Sequence, residues 1–327
     1  MPKHMSRDGA GRFNLPAGAT GSINTLLPIG DQLEIYTEDC TVLSLSPNST
    51  DPDRTNPDAR WQNSVLVKMG SSHPAIARTI LMAAEMLQQS LLNKNVSEEK
   101  ILFAVHAVKE NLVSLSLAAN DLVGEINQEL DLMRSSSFKL DEGGVALAFF
   151  PSVKNLNGKL TNILTLGKRV IVGVGGVFNA FGVTAKAHTR FDHLIKEAVG
   201  NDTASEWFKN YLAEVLPGGE RIGHLRDAQE HGQAHKLKVK NFHALPNNDV
   251  SVPLINLDDT GWVTLGSEVD QIQEFLIGLT ECCFIGCLEQ VLSKDFPFSF
   301  VAVENPPLNK PIKYKLSFNF VVPSNEW

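Results

Sequence analysis

The residues best suited to chemistry lie in one short stretch, Gly223-His224-Leu225-Arg226-Asp227-Ala228-Gln229-Glu230-His231-Gly232. It sets an arginine, a polar residue directly after it, and a histidine four positions beyond that. Attack of a ribose 2′-hydroxyl on the adjacent phosphate needs a proton acceptor or donor that titrates near neutral pH, which histidine supplies. Charge building on the phosphoryl oxygens needs a fixed cation with a planar fork of donors, which arginine supplies. The same residues also fit a plain structural reading. Arg226 and Glu230 are four apart, as are Asp227 and His231, so both suit surface pairs on one helix. A histidine in the last helical turn also interacts favourably with the helix dipole.

The stretch resembles the signature of the HEPN superfamily of helical domains. In active members of that family an Arg, a small polar residue and a His a few positions on lie at a dimer cleft, where they cleave RNA without metal. Carried over, the resemblance implies that Arg226 stabilises the phosphate charge, Asp227 takes the polar position and His231 transfers the proton. It further implies RNA as substrate, a homodimer as the acting species, no cofactor, and a toxin or defence role. The match covers six residues, and Asp227 stands where the family more commonly has Asn. The rival reading is a non-catalytic helical binding or scaffold protein.

The run after the motif bears on RNA. In His235-Lys236-Leu237-Lys238-Val239-Lys240-Asn241-Phe242 the lysines alternate with apolar residues. As a strand, one face is buried and the other carries Lys236, Lys238 and Lys240. With Arg221 and Arg226 these form a local basic region able to hold a phosphate backbone by charge. A solvated edge strand guarded by lysines fits the same pattern. Were the helix to continue past Gly232, His224, Asp227, His231 and His235 would share a face with metal-ligand spacing. Gly232 and the alternating run argue instead that the helix stops, so no metal is assigned.

Other signals are weaker. Gly173, Gly175, Gly176 and Gly182 suggest a dinucleotide turn, but Phe178 takes the third glycine's place, and close helix packing explains them better. Cys282, Cys283 and Cys287 crowd into one apolar segment, as buried free thiols do.

Several elements must position these groups. Residues 1–20 read as a flexible tail, Gln32 to Tyr36 and Thr41 to Leu45 as strands, and Pro47 to Arg60 as an exposed loop. Pro74 opens a helix in which Ile76, Ile80, Ala84, Leu87 and Leu91 recur at helical spacing. Asn95 and Glu98 form a capping box for a second helix. Its apolar residues, Ile101, Val105, Val108, Leu112, Leu115, Ala119, Leu122 and Ile126, step by four and three. The two make a helical hairpin whose seam serves the core, with a second copy of the chain as the alternative occupant. Arg134 to Gly144 marks a boundary between residues 21–140 and a helical domain at 141–327. That second part carries a strand at Val145 to Phe150 and a short helix at Lys159 to Leu166. Further helices follow at Ala185 to Val199, Thr203 to Leu216, Glu220 to His231 and Ser267 to Leu292. Alternation at Phe296, Phe298 and Phe300, and at Ile312 to Phe320, predicts a closing antiparallel pair.

The fold class expected is therefore α+β, a helical core with peripheral antiparallel strands. A 43% hydrophobic and 20% charged composition excludes a mainly disordered chain. A formal charge of −8 argues against a protein that coats nucleic acid over its whole surface. The apolar run Val170 to Val183 reads as too short to span a bilayer comfortably, and Phe275 to Ile285 contains Glu281. No signal peptide is evident and a cytoplasmic location is expected, so Asn48-Ser49-Thr50 reads as a chance glycosylation match.

Overall fold

A computed structural model describes residues 15–93, 96–135, 150–231, 235–246, 249–294 and 297–318. The architecture is α+β, with long helices at the centre and small antiparallel sheets around them. The first sheet is a four-stranded meander of β1 (Ile23–Ile29), β2 (Gln32–Thr37), β3 (Thr41–Leu45) and β4 (Gln62–Val67). Gly30, at φ +59°, makes the two-residue turn between β1 and β2, where a side chain would be strained. The meander buries both faces. Leu27, Ile29 and Tyr36 join the main core, while Ile35 and Val42 pack with Cys40 against Leu15 and Leu33. Between β3 and β4 the expected loop holds one short helix, α1 (Pro47–Thr50), capped by Ser46.

The helix opened by Pro74 is interrupted. It runs as α2 (Pro74–Ile76), a π-helical turn (Ala77–Leu81) and α3 (Met82–Gln89). These pack on α4 (Glu98–Ser135), giving the expected pair of helices. Asn95 lies outside the described residues, and the Ser97 hydroxyl accepts from the Lys100 N–H at 3.3 Å. All eight seam residues of α4 are buried, none more than 6% exposed, so the seam belongs to this chain's own core.

The next helices are longer than the sequence suggested. The expected short helix and the glycine-rich run are one element, α5 (Leu156–Ala180). Its glycines permit close approach: a Cβ at Gly173 would lie 2.9 Å from the Val108 side chain, and one at Gly175 would lie 2.8 Å from the His188 carbonyl. Conversely, α6 (Phe191–Val199) begins later than expected. The Ala185 N–H donates to Glu197 at 2.7 Å, which draws the preceding residues across α6 rather than into it. The two helices expected at 203–231 are a single α7 (Glu206–Glu230), continuous through Pro217. Gly218 and Gly219 follow that proline, and they let the Phe275 and Phe191 rings come so close that a Cβ at either would clash at 2.6 or 2.2 Å. Packing on both sides thus offsets the lost hydrogen bond.

Past α7 come β5 (Leu237–Lys240), β6 (His243–Ala244), β7 (Val250–Ser251), β8 (Leu254–Leu257) and β9 (Val263–Thr264). The sheet order is β5-β8-β9, which makes β5 an edge strand. The central α8 (Leu265–Val291) contacts α4, α5 and α7 and is buried almost all round from Leu279 to Leu288. The chain closes on the expected antiparallel pair, β10 (Phe298–Ala302) with β11 (Tyr314–Phe318). Phe296, Phe320, most of the expected strand at 145–150 and most of the expected boundary at 134–144 lie outside the described residues. One continuous core runs from Leu27 to Leu316 and draws on segments from both sides of that boundary.

Three helices, α4, α5 and α8, are long and apolar enough to cross a membrane by length and composition. The length argument made for Val170 to Val183 does not hold, because the part of that run up to Ala180 belongs to a 25-residue helix beginning at Leu156. The most apolar stretches of these helices are 44%, 56% and 67% buried against the rest of the protein, α8 the most.

Candidate functional site

The inward face of α7 is apolar, with Ile222, Leu225 and Ala228 in the core, so Arg226 and Asp227 lie on its outer surface. The Arg226 Nη1 donates to Asp227 at 3.1 Å, and its Nη2 pairs with Glu230 one turn on. The guanidinium is thus shared between two carboxylates of its own helix. His231 ends the helix: its backbone N–H donates to the Asp227 carbonyl at 2.8 Å, and its side chain is 65% exposed. The nearest carboxylate to its ring is Glu230, at 3.9 Å, rather than Asp227 as the spacing suggested.

The other basic residues are placed as follows. Arg221 forms a two-bonded pair with Glu268, both contacts at 3.0 Å. Glu268 is buried on α8, and an ionised carboxylate there needs such a partner. Lys238 and Lys240 are exposed on β5 as expected, with Leu237 and Val239 packed against the core, while Lys236 is exposed just before the strand begins. Lys238 pairs with Asp259, and the Lys240 ammonium sits 4.2 Å from the Trp262 ring centroid. Asp258 and Asp259 hold left-handed turn conformations at φ +51° and +58°. There Asp258 accepts from the Lys236 N–H and bonds His235 Nδ1, each at 2.7 Å. The Lys236 N–H and then His235 hold the Asp258 carboxyl below its usual range.

Since α7 stops at Glu230, His224, Asp227, His231 and His235 do not share a helical face. His224 and His235 nevertheless meet, their rings stacked at 4.0 Å. Asp227, His224 and His235 line one cleft of about 410 Å³, and Arg226 and His231 are not among its lining residues.

Two buried charge networks escaped the sequence reading. In the first, Glu34 on β2 accepts from Lys109 Nζ at 2.9 and 3.1 Å, lies 2.8 Å from His106 Nε2, and also takes the Tyr36 hydroxyl. Burial raises the Glu34 carboxyl, but these partners outweigh it and bring it down to about 2. Glu34, His106 and Glu110 offer ligand atoms all within 4.8 Å of one another. The Lys109 ammonium, which also pairs with Glu110, already supplies a cation to those carboxylates. In the second network, Arg78 in the π-helical turn donates to Glu281 at 2.9 and 2.7 Å and to Glu274 at 2.8 Å. Burial pushes the Glu281 carboxyl up, against the pull of Arg78. The readable hints were Glu281 in an apolar run, Arg78 between Ile76 and Ile80, and Lys109 beside seam residue Val108.

A larger cavity, about 700 Å³, lies elsewhere, between the start of α7, the end of α8 and β10–β11. Trp207, Phe298, Phe300 and Tyr314 give it aromatic walls, and Cys282 also lines it. Trp207 and Arg226 are nineteen positions apart on α7, about 30 Å along the helix at ~1.5 Å per residue. The cavity is therefore separate from the motif. No protein-family model, curated protein or solved structure matches this chain.

Proposed function

We propose that the chain is a non-catalytic binding or scaffold protein, cytoplasmic, rather than a nuclease. The observation that carries this reading is the pairing of Arg226 with Asp227 and Glu230. A phosphate brought to that guanidinium meets two carboxylates already in place, and their repulsion opposes its approach. The surrounding cations support the same reading, since Arg221 is held by Glu268 and Lys238 by Asp259. The α4 seam is consumed internally, so partners are left the exposed surface, including β5 and its lysines. Burial of the apolar faces of α4, α5 and α8 within one core supports the cytoplasmic placement.

HEPN-like, metal-independent RNA cleavage by a homodimer, of toxin or defence type, is the second reading. It is favoured by His231, whose ring is exposed at the helix end within two turns of Arg226. Fluorescence anisotropy with labelled single-stranded RNA separates the two. The binding reading predicts that Arg226→Ala changes RNA affinity less than twofold. A tenfold loss overturns it.

A further inference from the structure

We infer that the cavity between the start of α7, the end of α8 and the β10–β11 pair binds a neutral aromatic small molecule. This goes beyond the binding reading and stands whether or not Arg226 and His231 cut RNA, because the cavity is separate from that motif. Its volume of about 700 Å³ falls within the range of small-molecule sites, roughly 300–1,000 Å³. Taken as a sphere, it has a wall of about 400 Å², against the roughly 800 Å² that each side of a stable protein interface buries.

Three elements supply the aromatic wall. Phe298, Phe300 and Ala302 alternate along β10 and so share one face, and Tyr314 of β11 pairs with Ala302 across the sheet. Ala302 is small, which leaves room beside the Tyr314 ring. On α7, Phe208 is drawn into the core against Gly286, where a Cβ would lie 2.2 Å from its ring. Its neighbour Trp207 is thereby turned outward and is 41% exposed. Trp207 is nonetheless fixed, because its Nε1 donates to Glu289 at 2.9 Å. A large aromatic side chain held in place beside a cavity offers a preformed face for a ligand ring to stack on.

The polar groups of the wall select against charge. Burial pushes the Cys282 thiol and the Tyr314 phenol up, so both stay neutral at physiological pH. The one carboxylate among the described lining residues, Glu289, already takes the Ser205 hydroxyl at 2.6 Å and the Trp207 N–H. The one ammonium among them, Lys294, is exposed. An anion would enter beside Glu289 and a cation beside Lys294, and either would leave water for a mainly apolar wall. A neutral ring system meets none of these costs. The Tyr314 hydroxyl makes no hydrogen bond among the described residues, so it is available to an N–H, hydroxyl or carbonyl on the ligand.

The test titrates the full chain with N-phenyl-1-naphthylamine, a neutral dye that fluoresces in apolar surroundings and carries a single N–H. Its anionic counterpart, 8-anilinonaphthalene-1-sulfonate, has the same rings and an added sulfonate. Expected are saturable binding of one dye per chain, an affinity at least tenfold higher for the neutral dye, and a tenfold or greater loss in Ala302→Trp, which fills the cavity. Trp207→Ala, which removes a wall, replaces that variant if it does not fold, with a fivefold loss expected. Absent or unsaturable binding, equal affinity for the two dyes, or unchanged affinity in the variant would each overturn the inference. So would binding that appears only when residues 319–327 are removed, which would assign the cavity to the chain itself.

Discussion

Replacing Lys109 by methionine keeps the length and apolar stem of the side chain and removes only its charge. In the parent that charge faces Glu34, which is 3% exposed, and both its carboxylate oxygens lie within 3.1 Å of the ammonium. Removing one partner of a buried ion pair costs about 3–5 kcal/mol, because the other charge stays behind uncompensated. Here His106 and Tyr36 still bond Glu34, so the loss belongs at the lower end, ~3 kcal/mol. The pH dependence gives a second reading of the same substitution. The folded-state Glu34 carboxyl lies at about 2, against an ordinary 4.5. Its contribution is therefore fully present above pH 4.5 and is lost as pH falls towards 2. That separation is worth roughly 3 kcal/mol. Without Lys109, burial is opposed less and the carboxyl rises, so the slope of stability in acid flattens or reverses. Urea unfolding followed by tryptophan fluorescence at pH 7, 5, 4 and 3 measures both effects. A loss below 1 kcal/mol at pH 7 together with a parent-like slope in acid would refute the reasoning.

Three further outcomes follow from packing and burial. Gly286→Ala places a Cβ 2.2 Å from the fully buried Phe208 ring and should lower stability by about 1–3 kcal/mol. Gly223→Ala, with open space around it in the interior of α7, should raise stability by up to ~1 kcal/mol, and thermal unfolding of both variants compares them. Cys40, Cys283 and Cys287 are buried, and burial pushes the thiols of Cys283 and Cys287 up. A thiol reagent at pH 8 should therefore reach at most Cys282 in the native protein and all four in denaturant. Rapid reaction of three native thiols would contradict the packing of α8.

What the sequence made legible was whatever repeats locally. The four-and-three steps of α4 gave its buried face, and alternation gave both the lysine face of β5 and the β10–β11 pair. Helix ends were less readable, because Pro217 and the glycines of α5 act as breakers only where packing does not intervene. At Gly173 and Gly219 a neighbouring helix takes the space a side chain would fill, and the helix runs on. The edge strands β1 and β4 are half-exposed, without the apolar alternation that marks a strand. The charge networks were hidden for another reason: Lys109 and Glu34 are 75 positions apart, and Arg78 and Glu281 are 203 apart. At the motif, spacing correctly gave the Arg226–Glu230 pair. It gave no view of the turn holding Asp258 and Asp259, which takes up Lys238 and brings His235 onto His224.

The most direct test of the central claim is incubation of the purified chain with a broad set of RNAs in the presence of a chelator, beside His231→Ala. The account predicts that both proteins leave the RNA intact, because Arg226 is held by Asp227 and Glu230. Cleavage by the parent that disappears in His231→Ala would contradict it and establish the pair as a working site.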